Sequence, residues 1–237
     1  MRIVLNDKEV IIPSALSEIT LKQRIDFHNQ YGRELDEMLT GILKMEDGVE
    51  KELEVGHYHF EKMFRTFAFF AGTTPDAIKE SKFIDDIAAI YHACLAQLFD
   101  DEGQVELKTE FAYKGELWEL SAPEIKNGSK MSFGEFVDAK QMVKDMHELG
   151  KGKWESMLRL CAIFLRRKGE AFQEEFLFED SERLKLMEDL PMDIAIQVGF
   201  FLTASLNFYL NTSQSFTNQE SKEVASTQRN ISISGGG

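Results

Sequence analysis

The run LPMDIAIQVGFFLTASLNFYL, from Leu190 to Leu210, is the most apolar stretch of the chain. It is either a membrane span or the central helix of a packed core. Its length suits a bilayer, but its content does not. Asp193, Gln197, Asn207 and Asn211 interrupt it, and with Ala204 they fall near one face at helical spacing. An Asp within hydrocarbon costs about 2.5–3.5 kcal/mol on insertion scales. No cluster of Lys or Arg flanks the run to fix an orientation. A helix that is apolar nearly all round inside an otherwise ordinary chain is a core helix. The sequence therefore predicts a soluble protein that makes no use of a membrane.

That core needs enough chain to surround it. The sequence has 237 residues, of which 43% are hydrophobic and 19 are phenylalanine, so it can bury a sizeable core. Its formal net charge is −14. Binding a polyanion requires Lys and Arg to displace counterions, so this balance argues against nucleic acid and anionic lipid as partners. The one basic knot, Arg166-Arg167-Lys168, follows the helix-like run WESMLRLCAIFL. It reads as a set of cations at a helix C-terminus, where they interact favourably with the dipole. Cys94 and Cys161 each lie among apolar neighbours and read as buried free thiols. The N-terminal MRIVLNDKEV has no apolar segment of signal-peptide length, which favours the cytosol.

The first twelve residues read as a β-hairpin, with RIVL and EVII joined through Asn6-Asp7-Lys8. TLKQ, from Thr20, is a capping box that starts a helix, and Gly32 is expected to punctuate it. A second helix spans about 34–44 and gives way to a charged loop, MEDGVEKELEVG. An aromatic helix follows over 57–71, with Phe60, Phe64 and Phe67 on one face beside Met63 and Phe70. Thr74 and Pro75 are the N-cap and first residue of a new helix. The next, about 82–99, should bury Ile84, Ile87, Ala88, Tyr91, Leu95 and Leu98.

The apolar period then falls from 3.6 to 2. Val105, Leu107, Thr109, Phe111 and Tyr113 alternate with mostly polar residues, KGE turns the chain, and Leu117 to Leu120 returns as a partner strand. The two hairpins together are expected to form one small antiparallel sheet. A second helical block follows. SFGE at Ser132 is another capping box, with Phe133, Phe136, Val137, Met142, Val143 and Met146 on the apolar face. LGKGK breaks that helix, Trp154 to Leu165 forms the next with Trp154 buried, and Ser181 caps a short one that ends at Leu190-Pro191. The fold class is α+β and predominantly helical: an N-terminal α+β region over 1–125, a helical block over 126–210, and a polar tail over 211–237. Four charges cancel in that tail, so the acidity belongs to residues 1–210.

No catalytic or cofactor motif accompanies this pattern. GKGK at Gly150 has Trp154 where a phosphate loop needs Ser or Thr, and helices are expected on both sides of it. His57 and His59 stand two apart, so on a helix they point to different faces and cannot share a metal ion by themselves. DDEGQVE at Asp100 lacks calcium-loop spacing. No G-x-S-x-G is present, and neither cysteine has an evident histidine partner. A small-molecule enzyme would need a site assembled only in three dimensions, for example Glu135, Asp138 and Glu170 converging with a histidine. The pairs Met38/Met45 and Met142/Met146 read as core filling, or else as an adaptable binding surface.

The helical block carries a resemblance. MSFGEFVDAKQMVKDM, GKGKWESMLRLCAIFLRRKGEAF and SERLKLMEDLPMDIAIQVGFFLTASLNFYL, with the opening hairpin and ITLKQRIDFHNQYGRELD, resemble a family of tailed-phage proteins. Its relatives sit among virion and tail genes of phages of Bacteroides-type hosts, crAss-like phages included. The layout of Met131 to Phe201 is similar to that of phage tail assembly chaperones. The shared motifs are packing motifs. The resemblance implies a non-enzymatic assembly protein without cofactor, acting on other tail or virion proteins in the infected host's cytoplasm. A minor structural or internal cargo protein of the virion, or a homo-oligomer, is also compatible with it. The landmarks it marks as interaction or structural determinants are Phe133, Phe136, Lys151 to Trp154, Arg166, Arg167, Leu190, Pro191, Phe200 and Phe201.

Overall fold

The computed structural model describes residues 1–5, 8–96, 108–120, 141, 144, 153–171 and 173–201. Strands β1 (Arg2–Leu5) and β2 (Lys8–Ile11) pair antiparallel, with Ile3 opposite Val10, as their β-branched runs predict. The capping box at Thr20 forms: its hydroxyl accepts from the Gln23 amide, and the Gln23 side chain accepts from the Thr20 amide. Helix α1 (Leu21–Phe27) does not stop at Gly32. It passes through a π-helical turn, His28–Gly32, directly into α2 (Arg33–Leu43). Gly32 has helical dihedrals and is buried, so here it marks close packing and not a break. The His28 ring occupies the space that a Cβ on residue 32 would need.

The charged segment after α2 corrects the expectation of a loop. Helix α3 runs from Val49 to Ala71, 23 residues or about 34 Å, and takes in most of that segment. The acidic side chains Glu50 and Glu52 in its first turn favour this start through the helix dipole. α3 ends at Gly72 in the left-handed conformation (φ 63°), a conformation glycine adopts without steric cost. Thr74 caps the short α4 (Pro75–Lys79), with Pro75 in its first turn. α5 (Ile84–Ile90) leads into a second π-helical turn, Tyr91–Leu95. Ile87, Tyr91 and Leu95 are buried; Ile84 and Ala88 are half-buried. Leu98 lies outside the described residues.

β3 (Glu110–Tyr113) and β4 (Glu116–Leu120) form the second hairpin. Its two-residue turn places Lys114 and Gly115 at φ 48° and 79°, the paired positive dihedrals that match strand twist. Phe111, Tyr113, Trp118 and Leu120 face the core, and Leu117 faces out. The single-sheet expectation is overturned. β1 and β2 stand apart, and the third strand beside β4 is β5 (Leu165–Arg167), which follows α6 (Lys153–Phe164) without a loop. Arg166 and Arg167 are therefore strand residues. The cation cluster does not cap a helix, because Leu165 pairs with Leu120 and Arg167 with Trp118. α7 (Glu182–Glu188) is capped by Ser181, whose Oγ accepts from the Leu184 amide at 3.1 Å. Residues 192–201 form the last described helix, α8.

One hydrophobic cluster joins these elements, from Ile12 through Phe67, Trp118 and Ile163 to Phe201. The N- and C-terminal segments are stitched through the backbone: the Leu21 amide donates to Leu190 O, and the Met192 amide to Ile19 O. Leu190, Met192, Ala195 and Val198 are buried, as a core helix requires. Its polar face is used inside the protein, where the buried Gln197 side chain accepts from the Lys108 amide at 2.6 Å. Among the described residues, no helix is long and apolar enough to cross a membrane. Both cysteines are free thiols; Cys161 is fully buried and Cys94 half-buried.

Candidate functional site: an exposed apolar seam on a helical hairpin

Helices α2 and α3 pack against each other as an αα-hairpin. α2 turns Leu35 and Ile42 inward and leaves Leu39 and Leu43 exposed. On α3 the apolar positions Val49, Leu53, Phe60, Met63 and Phe67, with Gly56, step 4-3-4-3-4. That spacing keeps all six on one face. The face changes character along its length. Met63 and Phe67 are buried in the core, in the half of the helix that leads to α4. Val49, Leu53 and Phe60 are 74%, 69% and 56% exposed. The Phe60 and Phe64 rings stack at 6.2 Å where one half meets the other.

An ion cluster anchors α3 at that changeover. Glu61 is buried and accepts from Lys79 Nζ at 2.6 Å and Arg65 Nε at 3.3 Å. Burial works to raise its pKa, but Lys79 and Arg65 outweigh burial and hold the carboxyl below its ordinary range. Arg65 also bridges to Glu34 on α2, so the cluster fixes the hairpin's angle as well. Beyond it the surface is acidic. Between Arg33 and Glu54, acidic side chains outnumber basic ones eight to three. Glu50 and Glu52 flank the exposed half of the seam on either side.

The landmarks singled out in sequence go elsewhere. Phe133, Phe136 and the SFGE start lie outside the described residues, as do Lys151, Glu135 and Asp138. Trp154 is buried, and the Arg24 guanidinium lies 4.4 Å from its ring centroid. Leu190 and Phe201 are core residues, Pro191 is half-buried and Phe200 exposed. Arg166 is buried, with Nε donating to Ile163 O at 3.1 Å. Arg167 lies over Trp118 and pairs with Glu116 and Glu170. Met38 and Met45 are half-buried.

The enzyme alternative can be checked where Glu170 sits. A cleft of about 560 Å³ opens beside it, lined among others by Arg167, Phe176, Phe178, Asp180, Arg183 and Leu186. Glu170 is held by Arg167 and Arg183 below its ordinary pKa, against the opposing effect of its own burial. No histidine among the described residues lines the cleft. Among the described residues, no group of three or more His, Cys, Asp or Glu side chains is placed to hold a metal ion. Glu170 is thus, among the described residues, a partner of two arginines; Glu135 and Asp138, with which it was expected to converge, lie outside the described residues.

Sequence reasoning missed the seam because 45–56 reads as a charged loop. The signal was the 49-53-56-60-63-67 spacing, masked by six charged residues within that segment. No protein-family model, curated protein or solved structure matches the chain.

Proposed function

We propose that this chain is a non-enzymatic bacteriophage assembly protein that works through protein–protein contacts, in the manner of a tail assembly chaperone. The observation that carries the reading is the seam on α3, where Val49, Leu53 and Phe60 stand in solvent on a helix whose other half is core. Exposed apolar patches of this kind, rimmed by polar residues, mark protein interaction sites. A chaperone needs such a surface to hold a partner before it polymerises. It also needs a charge that keeps loaded complexes apart, and −14 supplies it. The phage context rests on the resemblance carried by the helical block. The place of action is then the cytoplasm of the infected host, and the partners are other tail or virion proteins.

The test is quantitative mass spectrometry of purified particles and of the matched infected-cell lysate. The chaperone role expects the chain in the lysate and not in the particle. A fixed copy number in the particle would make it a minor structural or cargo protein and overturn the chaperone role. Absence from both would overturn the phage reading altogether.

A further inference from the structure

We infer that the exposed half of the α3 seam docks a single cationic amphipathic helix from a partner protein; this deepens the functional reading above and rests on it. The seam's spacing makes the argument for a helix. Positions 49, 53, 56, 60, 63 and 67 follow the 4-3 alternation through which helices pack knobs into holes, and the last two are already buried in the core. A helix laid on 49–60 would continue, on the same line, the packing that begins at Met63.

Gly56 provides a second observation. It sits on the seam in the interior of α3, where glycine costs helix stability relative to alanine. Nothing among the described residues requires it: a Cβ there would meet none of their atoms within 4 Å. A small residue at that point lets an incoming backbone come close. The charges decide what that backbone belongs to. In the heptad frame Glu50 and Glu52 occupy the two positions that face a partner's flanks, and both are exposed. Lys or Arg on those flanks would be attracted, whereas a second copy of this chain would bring its own net charge of −14 against the same acidic surface.

The experiment titrates the full chain with two three-heptad peptides that carry Leu on the apolar face. One has Lys on the flanking positions and the other Glu. Calorimetry and the peptide's circular dichroism are read together. We expect the Lys peptide to bind one to one and to become helical, with weaker binding at high salt, and the Glu peptide not to bind. Leu53→Asp should weaken the Lys peptide about tenfold or more, the loss of roughly one apolar contact. The sign of that change is decisive. Leu53→Asp makes the surface more acidic, so a purely electrostatic attachment would stay the same or tighten, and such a result would overturn the docking site. Gly56→Leu should weaken binding while leaving the melting temperature no lower, which separates docking from folding. Failure of the Lys peptide to bind would overturn the inference. So would a wild-type dimer that Leu53→Asp splits, since a second copy would then occupy the seam. A virion protein held equally well by wild type and Leu53→Asp would leave the assembly role standing and remove this site. Peptide binding as expected, with the chain absent from particle and lysate, would do the reverse.

Discussion

The guanidinium carbon of Arg183 lies 4.7 Å from the ring centroid of Trp118 and 4.4 Å from that of Phe176. The cation is buried against two aromatic faces, and its Nη2 donates to Leu165 O at 3.1 Å and to Glu170 at 2.8 Å. Burial pulls the arginine's pKa down and Glu170 works against that; the guanidinium stays charged, as arginine does in proteins. This single side chain ties α7 to β4, to β5 and to the turn of 3-10 helix at Glu174–Leu177. It is a rivet of the three-stranded sheet.

Removing one member of the rivet should cost more than removing both. Glu170→Gln leaves a buried cation without its counter-charge and should cost about 2–4 kcal/mol, less than for a fully buried pair because Glu170 keeps 20% of its side chain in water. Arg183→Met combined with Glu170→Gln removes charge and counter-charge together, and should recover at least half of that loss. Urea unfolding of both single variants and the double variant measures the coupling. Strict additivity would show that the pair is energetically independent.

Trp154→Ala should lower stability by about 3–5 kcal/mol, because the indole is buried in the core beneath Arg24. Thermal and denaturant unfolding read it directly. An unchanged melting temperature would contradict the burial.

Trp154 also shows what was legible in the sequence. Its burial follows from its place on the apolar face of WESMLRLCAIFL, and local capping chemistry likewise located Thr20, Thr74 and Ser181. These features depend on neighbours within a turn of helix. What was hidden depends on distant contacts. Leu165–Arg167 carries helical periodicity inherited from α6, yet it becomes a strand because β4 offers an unpaired edge. Gly32 looks like a stop until the His28 ring fills the space beside it. The α3 seam was obscured in a different way: its charged neighbours outweigh three apolar residues when a loop is judged by composition, and only the spacing betrays the helix.

Alkaline stability should report on Tyr91. Its phenol is buried, and burial, followed by the nearby Tyr58, pushes its pKa up to about 12. A group whose pKa is raised on folding contributes its full stabilisation below the unfolded value, near 10. That contribution falls as pH rises between the two values. The loss should reach about 2–3 kcal/mol by pH 12. Tyr91→Phe should flatten the stability profile over this range while leaving the slope near neutrality unchanged. Tyr31, Tyr58 and Tyr113 are raised as well, so a shallower decline should persist in the variant. A profile that is identical with and without the hydroxyl would refute the assignment.

The two halves of α3 should respond in opposite ways to the same kind of substitution. Phe67 is fully buried and Leu53 is 69% exposed, although both sit on one line of one helix. Phe67→Ala leaves a cavity among packed neighbours and should cost about 3–5 kcal/mol. Leu53→Gln removes no packing inside the chain, and glutamine is nearly as good a helix former as leucine, so the change should stay within about 0.5 kcal/mol. Chemical unfolding of the two variants under one set of conditions compares them without reference to any partner. If Leu53→Gln proved as costly as Phe67→Ala, the N-terminal half of the seam would be covered within the chain itself, and no surface there would remain for a partner to take. If the costs separate as expected, the chain retains three apolar side chains, Val49, Leu53 and Phe60, on a face that folding alone does not use. Along α3 the buried packing then begins at Glu61 and Met63, and the exposed half of the seam is free to act by contact.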